Sequence, residues 1–127
     1  MIKANLAGSS LIRADLTKRC LIRAEFDKAT LLQTDFSNSV LINVSFKGAD
    51  LRGSNFRRAA LIRVDFSGAD LRGVSLCFVL DNIYSRLDGI IFDDETKFEY
   101  FNPYTHSEFE VVELSNGSKK LMRIKWF

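Results

Sequence analysis
Leucine or phenylalanine returns at every fifth position through the first part of the chain. The series runs Leu6, Leu11, Leu16, Leu21, Phe26, Leu31, Phe36, Leu41, Phe46, Leu51, Phe56, Leu61, Phe66, Leu71, Leu76. Two residues before these centres sit small or β-branched residues such as Ala4, Ala14, Ala24, Thr34, Val44, Ala59 and Ala69. A helix repeats its apolar face every 3.6 residues and a strand every 2, so a period of five marks an architecture of stacked repeats. One such unit cannot bury its own leucine. Units must therefore stack and pair backbone with backbone. From Leu21 to Leu71 the centres alternate strictly between leucine and phenylalanine, which lays a second period over the first.

The units Ala4-Asn5-Leu6-Ala7-Gly8, Ser54-Asn55-Phe56-Arg57-Arg58, Val64-Asp65-Phe66-Ser67-Gly68 and Ala69-Asp70-Leu71-Arg72-Gly73 show the pattern most clearly. In these units the chain resembles the pentapeptide repeat family, and the resemblance covers residues 4–78. It implies an all-β fold, a right-handed quadrilateral β-helix with four pentapeptides per coil. The centre and the small residue before it would point inward, and the other three positions outward. On that frame Phe26, Phe46 and Phe66 stack on one side, Phe36 and Phe56 on the opposite one, and leucines fill the remaining two. Gly8, Gly48, Gly53, Gly68 and Gly73 fall two residues after a centre, where an unhindered turn is expected. Asp and Asn just before the centre suit side-chain bonds to turn backbone.

Folding the sequence into columns of twenty shows which sides are wet. The side centred on Leu21, Leu41 and Leu61 carries Cys20, Val40 and Ala60 before the centre and Ile22, Ile42 and Ile62 after it. Both outward columns are apolar there. The side centred on Leu31 shows only Ile12 and Leu32 before turning to Arg52 and Arg72. An outward apolar strip calls for a cover: the C-terminal segment folded back, a second copy, or another protein. Arg23 and Arg63 flank it as a polar rim. Lys18, Arg57 and Arg58 form a loose basic patch on the side of Phe36 and Phe56, read as solvated charge rather than a phosphate site. Arg19 occupies a small inward position and is expected to escape to solvent at the N-terminal end.

After Leu76 the register slips. Leu87 and Phe92, preceded by Ser85 and Ile90, resume the pattern after an insertion near Val79–Tyr84. The expected organisation is a solenoid over 1–92 and a C-terminal cap with a hairpin over 93–127. Asp93-Asp94-Glu95-Thr96 reads as an exit turn, with Phe98, Tyr100, Phe101 and Tyr104 covering the last coil against edge association. No matching cap precedes residue 4, so that end reads as an association surface or as a place where preceding sequence is missing. Asn116-Gly117 predicts a two-residue turn and a hairpin over 109–125. Counting outward pairs Leu114 with Lys119, Val112 with Leu121, Val111 with Met122 and Phe109 with Ile124. Phe109, Val111, Met122 and Ile124 then share a face that must dock, because a lone hairpin is marginal. Trp126 and Phe127 are candidate interface anchors.

Charge and chemistry change this picture little. Residues 1–80 carry 12 Lys/Arg against 7 Asp/Glu and residues 81–127 carry 6 against 9, so the coil is about +5 and the tail about −3. Cys20 and Cys77 fall almost three coils apart, roughly 14 Å at ~4.8 Å per coil, too far for a disulfide. Free thiols and the absence of a signal-peptide or membrane-spanning run point to a cytoplasmic protein. His106 is the single histidine, no metal set accompanies it, and the glycines follow the repeat rather than a phosphate-binding motif. Asp50 and Asp70 share a column and read as structural. No cofactor, small-molecule substrate or enzymatic activity is expected. The sequence reads as a non-catalytic interaction or scaffolding module, with Ile22, Val40, Ile42, Ala60 and Ile62 as its protein-binding or homodimer surface. The resemblance also implies an alternative, since some pentapeptide repeat proteins imitate duplex DNA and inhibit DNA gyrase, protecting it from quinolones. Those are acidic rods, and this coil has the opposite sign. Direct nucleic-acid or membrane binding is not expected.

Overall fold
A computed structural model gives the fold and describes residues 1–76, 81–83 (backbone only), 85–98, 103–105 and 108–124. Backbone bridges repeat at a spacing of twenty: Asn5↔Glu25↔Ser45↔Asp65, Ser10↔Thr30↔Asp50↔Asp70 and Asp15↔Asp35↔Asn55↔Ser75. The fourth side pairs as strands β1 (Cys20–Ile22), β2 (Val40–Ile42), β3 (Ala60–Ile62) and β4 (Asp81–Ile83), all parallel and adjacent in that order. Four sides of five residues thus close one coil, as the resemblance implied.

The interior follows from the alternation of centres. Phe26, Phe46 and Phe66 stack with centroids 5.2 and 5.4 Å apart and planes within 12°. Phe36 and Phe56 stack at 4.8 Å, and the two columns meet edge to face at 5.4 to 6.0 Å. Both geometries suit the ring quadrupole. The leucine centres from Leu21 to Leu71 are fully buried between them. Where the inward small residue is Ser or Thr, its hydroxyl donates to a carbonyl of the coil above: Thr34 to Leu11, Ser39 to Leu16 and Ser54 to Leu31, at 2.7 to 2.8 Å. The buried hydroxyl is thereby satisfied.

The corners differ from a simple glycine rule. The residue two after each centre has φ between +51° and +71° along the solenoid, and ten of these residues are not glycine, including Arg13, Lys28, Gln33 and Arg58. A side chain in this region costs roughly 1–2 kcal/mol, so the ladder overrides local preference. The side chain before the centre supports the turn, as when Asp35 Oδ1 accepts the Ser37 amide at 2.9 Å and Asn55 Oδ1 the Arg57 amide at 2.9 Å.

The ladder spacing becomes 21 at Ala60↔Asp81, Asp65↔Arg86 and Asp70↔Ile91, then 22 at Ser75↔Lys97. One extra residue therefore lies between Ser75 and Asp81, an interval that overlaps the expected Val79–Tyr84. The second lies in Asp93–Thr96. That segment does not leave the coil. Thr96 takes the inward position and donates its hydroxyl to the Leu71 carbonyl at 2.7 Å, while Asp93 Oδ1 accepts the Glu95 amide at 3.0 Å. The coil continues to Lys97, past the expected boundary at Phe92.

The hairpin docks on the C-terminal edge of this last coil. Strand β5 (Ile91–Phe92) pairs antiparallel with β7 (Lys119–Arg123), which pairs with β6 (Phe109–Glu113). Its register corrects the sequence reading by one residue. Val111 faces Leu121, Glu110 faces Met122 and Phe109 faces Arg123. The turn is a three-residue loop: Leu114 O accepts from Gly117 N at 3.1 Å, Ser118 O accepts from Leu114 N at 2.9 Å, and Gly117 sits at φ +86°. A left-handed glycine in a three-residue loop shifts the register by one and turns the β7 side chains to the other face, so that Leu121 instead of Met122 joins Phe109 and Val111. Phe109 and Leu121 are accordingly buried, whereas Val112 and Met122 are exposed. Ile124 follows the strand rather than opposing Phe109. Phe98 and Tyr104 lie edge-on to Phe92 at 5.8 and 6.1 Å. Tyr100, Phe101, Lys125, Trp126 and Phe127 lie outside the described residues, as do Cys77 and His106.

Candidate protein-interaction surface
After many centres the chain closes a hydrogen-bonded turn. The amide three residues on donates back to the centre's carbonyl, as Ala29 to Phe26, Ala49 to Phe46 and Val74 to Leu71 at 3.0 to 3.1 Å. Among the described residues no such bond forms at Leu21, Leu41 or Leu61. The residues before these three centres are Cys20, Val40 and Ala60. The β-branched Ile22, Ile42 and Ile62 after them favour extended backbone. This side is therefore a flat parallel sheet. The apolar columns and the strands have the same cause.

The structure places these residues as two outward ladders. Cys20, Val40 and Ala60 stand in register along one, with Asp81 beneath them. Ile22, Ile42, Ile62 and Ile83 stand in the other, and Ile2 pairs above Ile22. The leucines between the ladders are buried, Val40 is 38% and Ile2 70% exposed, and Ile22, Ile42 and Ile62 are half-buried against one another. Ile2 extends the strip by a rung at one end, and the backbone of Ile83 continues the ladder below Ile62 at the other. The sequence hid them: Ile2 stands twenty before Ile22 but ahead of the first unit counted, and Ile83 is displaced by the extra residue. The hairpin does not cover the strip, because β5 lies on the opposite side of the coil. The anchors expected at Trp126 and Phe127 are outside the described residues.

Arg23 and Arg63 are exposed at the corner beside the isoleucines, and Arg63 Nε donates to Asn43 Oδ1 at 3.0 Å. Arg19 reaches solvent at the other corner, where its amide donates to Ser39 Oγ at 3.1 Å. Lys18 and Arg58 are exposed beyond it.

The opposite side is chemically different. Asp50 binds Arg52 and Asp70 binds Arg72 at 2.6 to 2.9 Å, with both carboxylate oxygens engaged. The Arg52 guanidinium holds the Asp50 carboxyl below its ordinary range. The two carboxylates that share a column are thus tied to arginines. A shallow groove of about 600 Å³ runs along this side past Ile12, Leu32, Arg52, Arg72 and Asp93. No group of three His, Cys, Asp or Glu residues with metal-binding placement occurs among the described residues.

The repeat pattern and its coil have known counterparts. The family model described as pentapeptide repeats matches in eight copies over residues 20–58 and 41–76. The chain is 29% identical to a pentapeptide repeat protein from the Arabidopsis thaliana thylakoid lumen, with a TM-score of 0.72 over 76% of this chain and 66% of that one. It is 22% identical to HetL, a pentapeptide repeat protein involved in heterocyst differentiation regulation in Nostoc, with a TM-score of 0.50 over 76% and 52% of the two chains. This chain thus spans just under two thirds of the plant protein's length and about half of HetL's. No curated protein matches it in sequence.

Proposed function
On the premise that this chain belongs to the pentapeptide repeat family, we propose that it is a non-catalytic protein-interaction module. Its working surface is the strand-lined side bearing Cys20, Ile22, Val40, Ile42, Ala60 and Ile62. One observation carries the reading: the side that pairs as strands β1, β2 and β3 is also the side whose outer columns are apolar. A contiguous apolar surface on a rigid support suits a partner, not solvent. The hairpin leaves it open, and the arginines at its borders supply a polar rim. A duplex-mimicking role would need an acidic exterior, and the cations around this side speak against it.

The test compares two outward positions with the same place in their units. A photo-crosslinking amino acid at position 42 should form protein adducts in the native host, whereas one at position 47 should form few. Equal yields from both, or none at 42, would overturn the reading.

A further inference from the structure
The cations around the strip are among those that hold no carboxylate within ion-pair distance. Lys47, Arg52, Arg72, Lys119 and Arg123 each hold a carboxylate. Lys3, Lys18, Arg19, Arg23, Arg58 and Arg63 are all exposed, and none forms an ion pair among the described residues. Lys3, Arg23 and Arg63 lie along one border of the isoleucine ladder, and the other three lie beyond the opposite border. Asp81 is the single acidic residue in register with either ladder. Unpaired positive charge on both sides of an apolar ridge is an electrostatic complement waiting for carboxylates.

Resting on the interaction reading above, we infer that the occupant of this surface is an acidic amphipathic helix of a partner protein, laid along the solenoid axis. Spacing selects the helix. Successive isoleucines stand one rung apart, about 4.8 Å. Helix side chains three and four apart advance about 4.5–6 Å along the axis and so keep step with the rungs. A strand laid the same way would present its residues about 6.8 Å apart and fall out of step. The five rungs from Ile2 to Ile83 span about 19 Å, the length of roughly 13 helical residues. Acidic residues flanking the apolar stripe would then reach the cations on both borders. A second copy of this chain is the poorer occupant, because face-to-face packing sets the same unpaired cations against one another.

The probe is a fluorescein-labelled synthetic helix of about 14 residues with leucines three and four apart and glutamates on either side. Its control keeps the leucines and replaces glutamate by lysine. By fluorescence anisotropy the acidic peptide should bind about tenfold more tightly than the basic one at low salt. The gap should close near 1 M salt, where the screening length is about 3 Å. Ile42→Asp should abolish binding. Because that change alone could perturb folding, Arg23→Glu with Arg63→Glu provides a second reading: it should reverse the preference toward the basic peptide. Equal binding of both peptides, no binding, a dimer in solution that Ile42→Asp splits, or retention on phosphatidylcholine–phosphatidylglycerol vesicles would each overturn the inference. Adducts at position 42 without acidic preference would sink this inference and leave the interaction reading standing. The absence of adducts would sink both.

Discussion

The regular coils from Leu21 to Leu76 and the C-terminal cap are built on different physics. In the coils the buried positions repeat twenty residues on, so rings stack on rings and leucines on leucines through the middle of the solenoid. The cap has no such redundancy. It rests on a short edge pairing, in which Leu121 N donates to Ile90 O at 2.9 Å and Gly89 N to Leu121 O at 2.6 Å. One buried leucine and the charges around Arg123 complete it. Arg123 grips Asp88 at 2.8 and 2.9 Å and Glu108 at 3.0 Å, and stacks over Phe109 at 4.7 Å. Repetition gives stability distributed over many equivalent contacts, whereas the cap concentrates it in a few.

That contrast is open to three tests of decreasing effect. Phe46→Ala removes the middle ring of a three-ring stack that is fully buried, and should cost about 3–5 kcal/mol. Thermal melting followed by circular dichroism would report it as a lower midpoint for the whole coil. A midpoint unchanged within error would contradict the stacked interior. Leu121→Asp should act locally instead, since a carboxylate in that buried site disfavours docking. Hydrogen exchange should show the Gly89 and Leu121 amides losing protection while those of Phe26 and Phe46 keep theirs. Loss of protection throughout would mean that the cap and the coil unfold as one unit.

Acid should produce the smallest effect. Hydrogen bonding to Arg123 holds the Asp88 carboxyl below the ordinary range. Its contribution to docking is therefore complete above the unfolded value near 4 and fades as pH falls through the lower folded value. The side chain is 38% exposed, so solvent screens the pair. An NMR titration of the Leu121 amide should show a shift in this acid range, and Arg123→Ala should remove it. An unaltered titration in that variant would dissociate the cap from this ion pair.

The same contrast explains what could be read from the sequence. Leu and Phe every five residues specify a stacked coil, because periodicity is a long-range statement made many times over. Its four sides, and with them the two phenylalanine columns, came from the resemblance to pentapeptide repeats. The outward character of Ile22, Ile42 and Ile62 followed from the same count. Their pairing as strands did not, since neighbouring sides of the same period make only isolated bridges. The cap is stated once. Asn116-Gly117 suited a two-residue turn, and only the Leu114–Ser118 pairing reveals a third loop residue and the inverted faces. Thr96 was masked in the same way: two accumulated insertions hid its equivalence to Thr34 and Ser54. The unpaired state of Arg23 and Arg63 required coordinates, because Asp50 and Asp70 are spent on Arg52 and Arg72.

The spacing of twenty also makes the molecule a ruler. Each coil speaks only to its neighbours, so adding or deleting a whole coil alters length without altering cross-section. Reach can thus be tuned independently of grip: the number of isoleucine rungs sets how much of a ligand is measured, while the residues of any one rung set what is recognised.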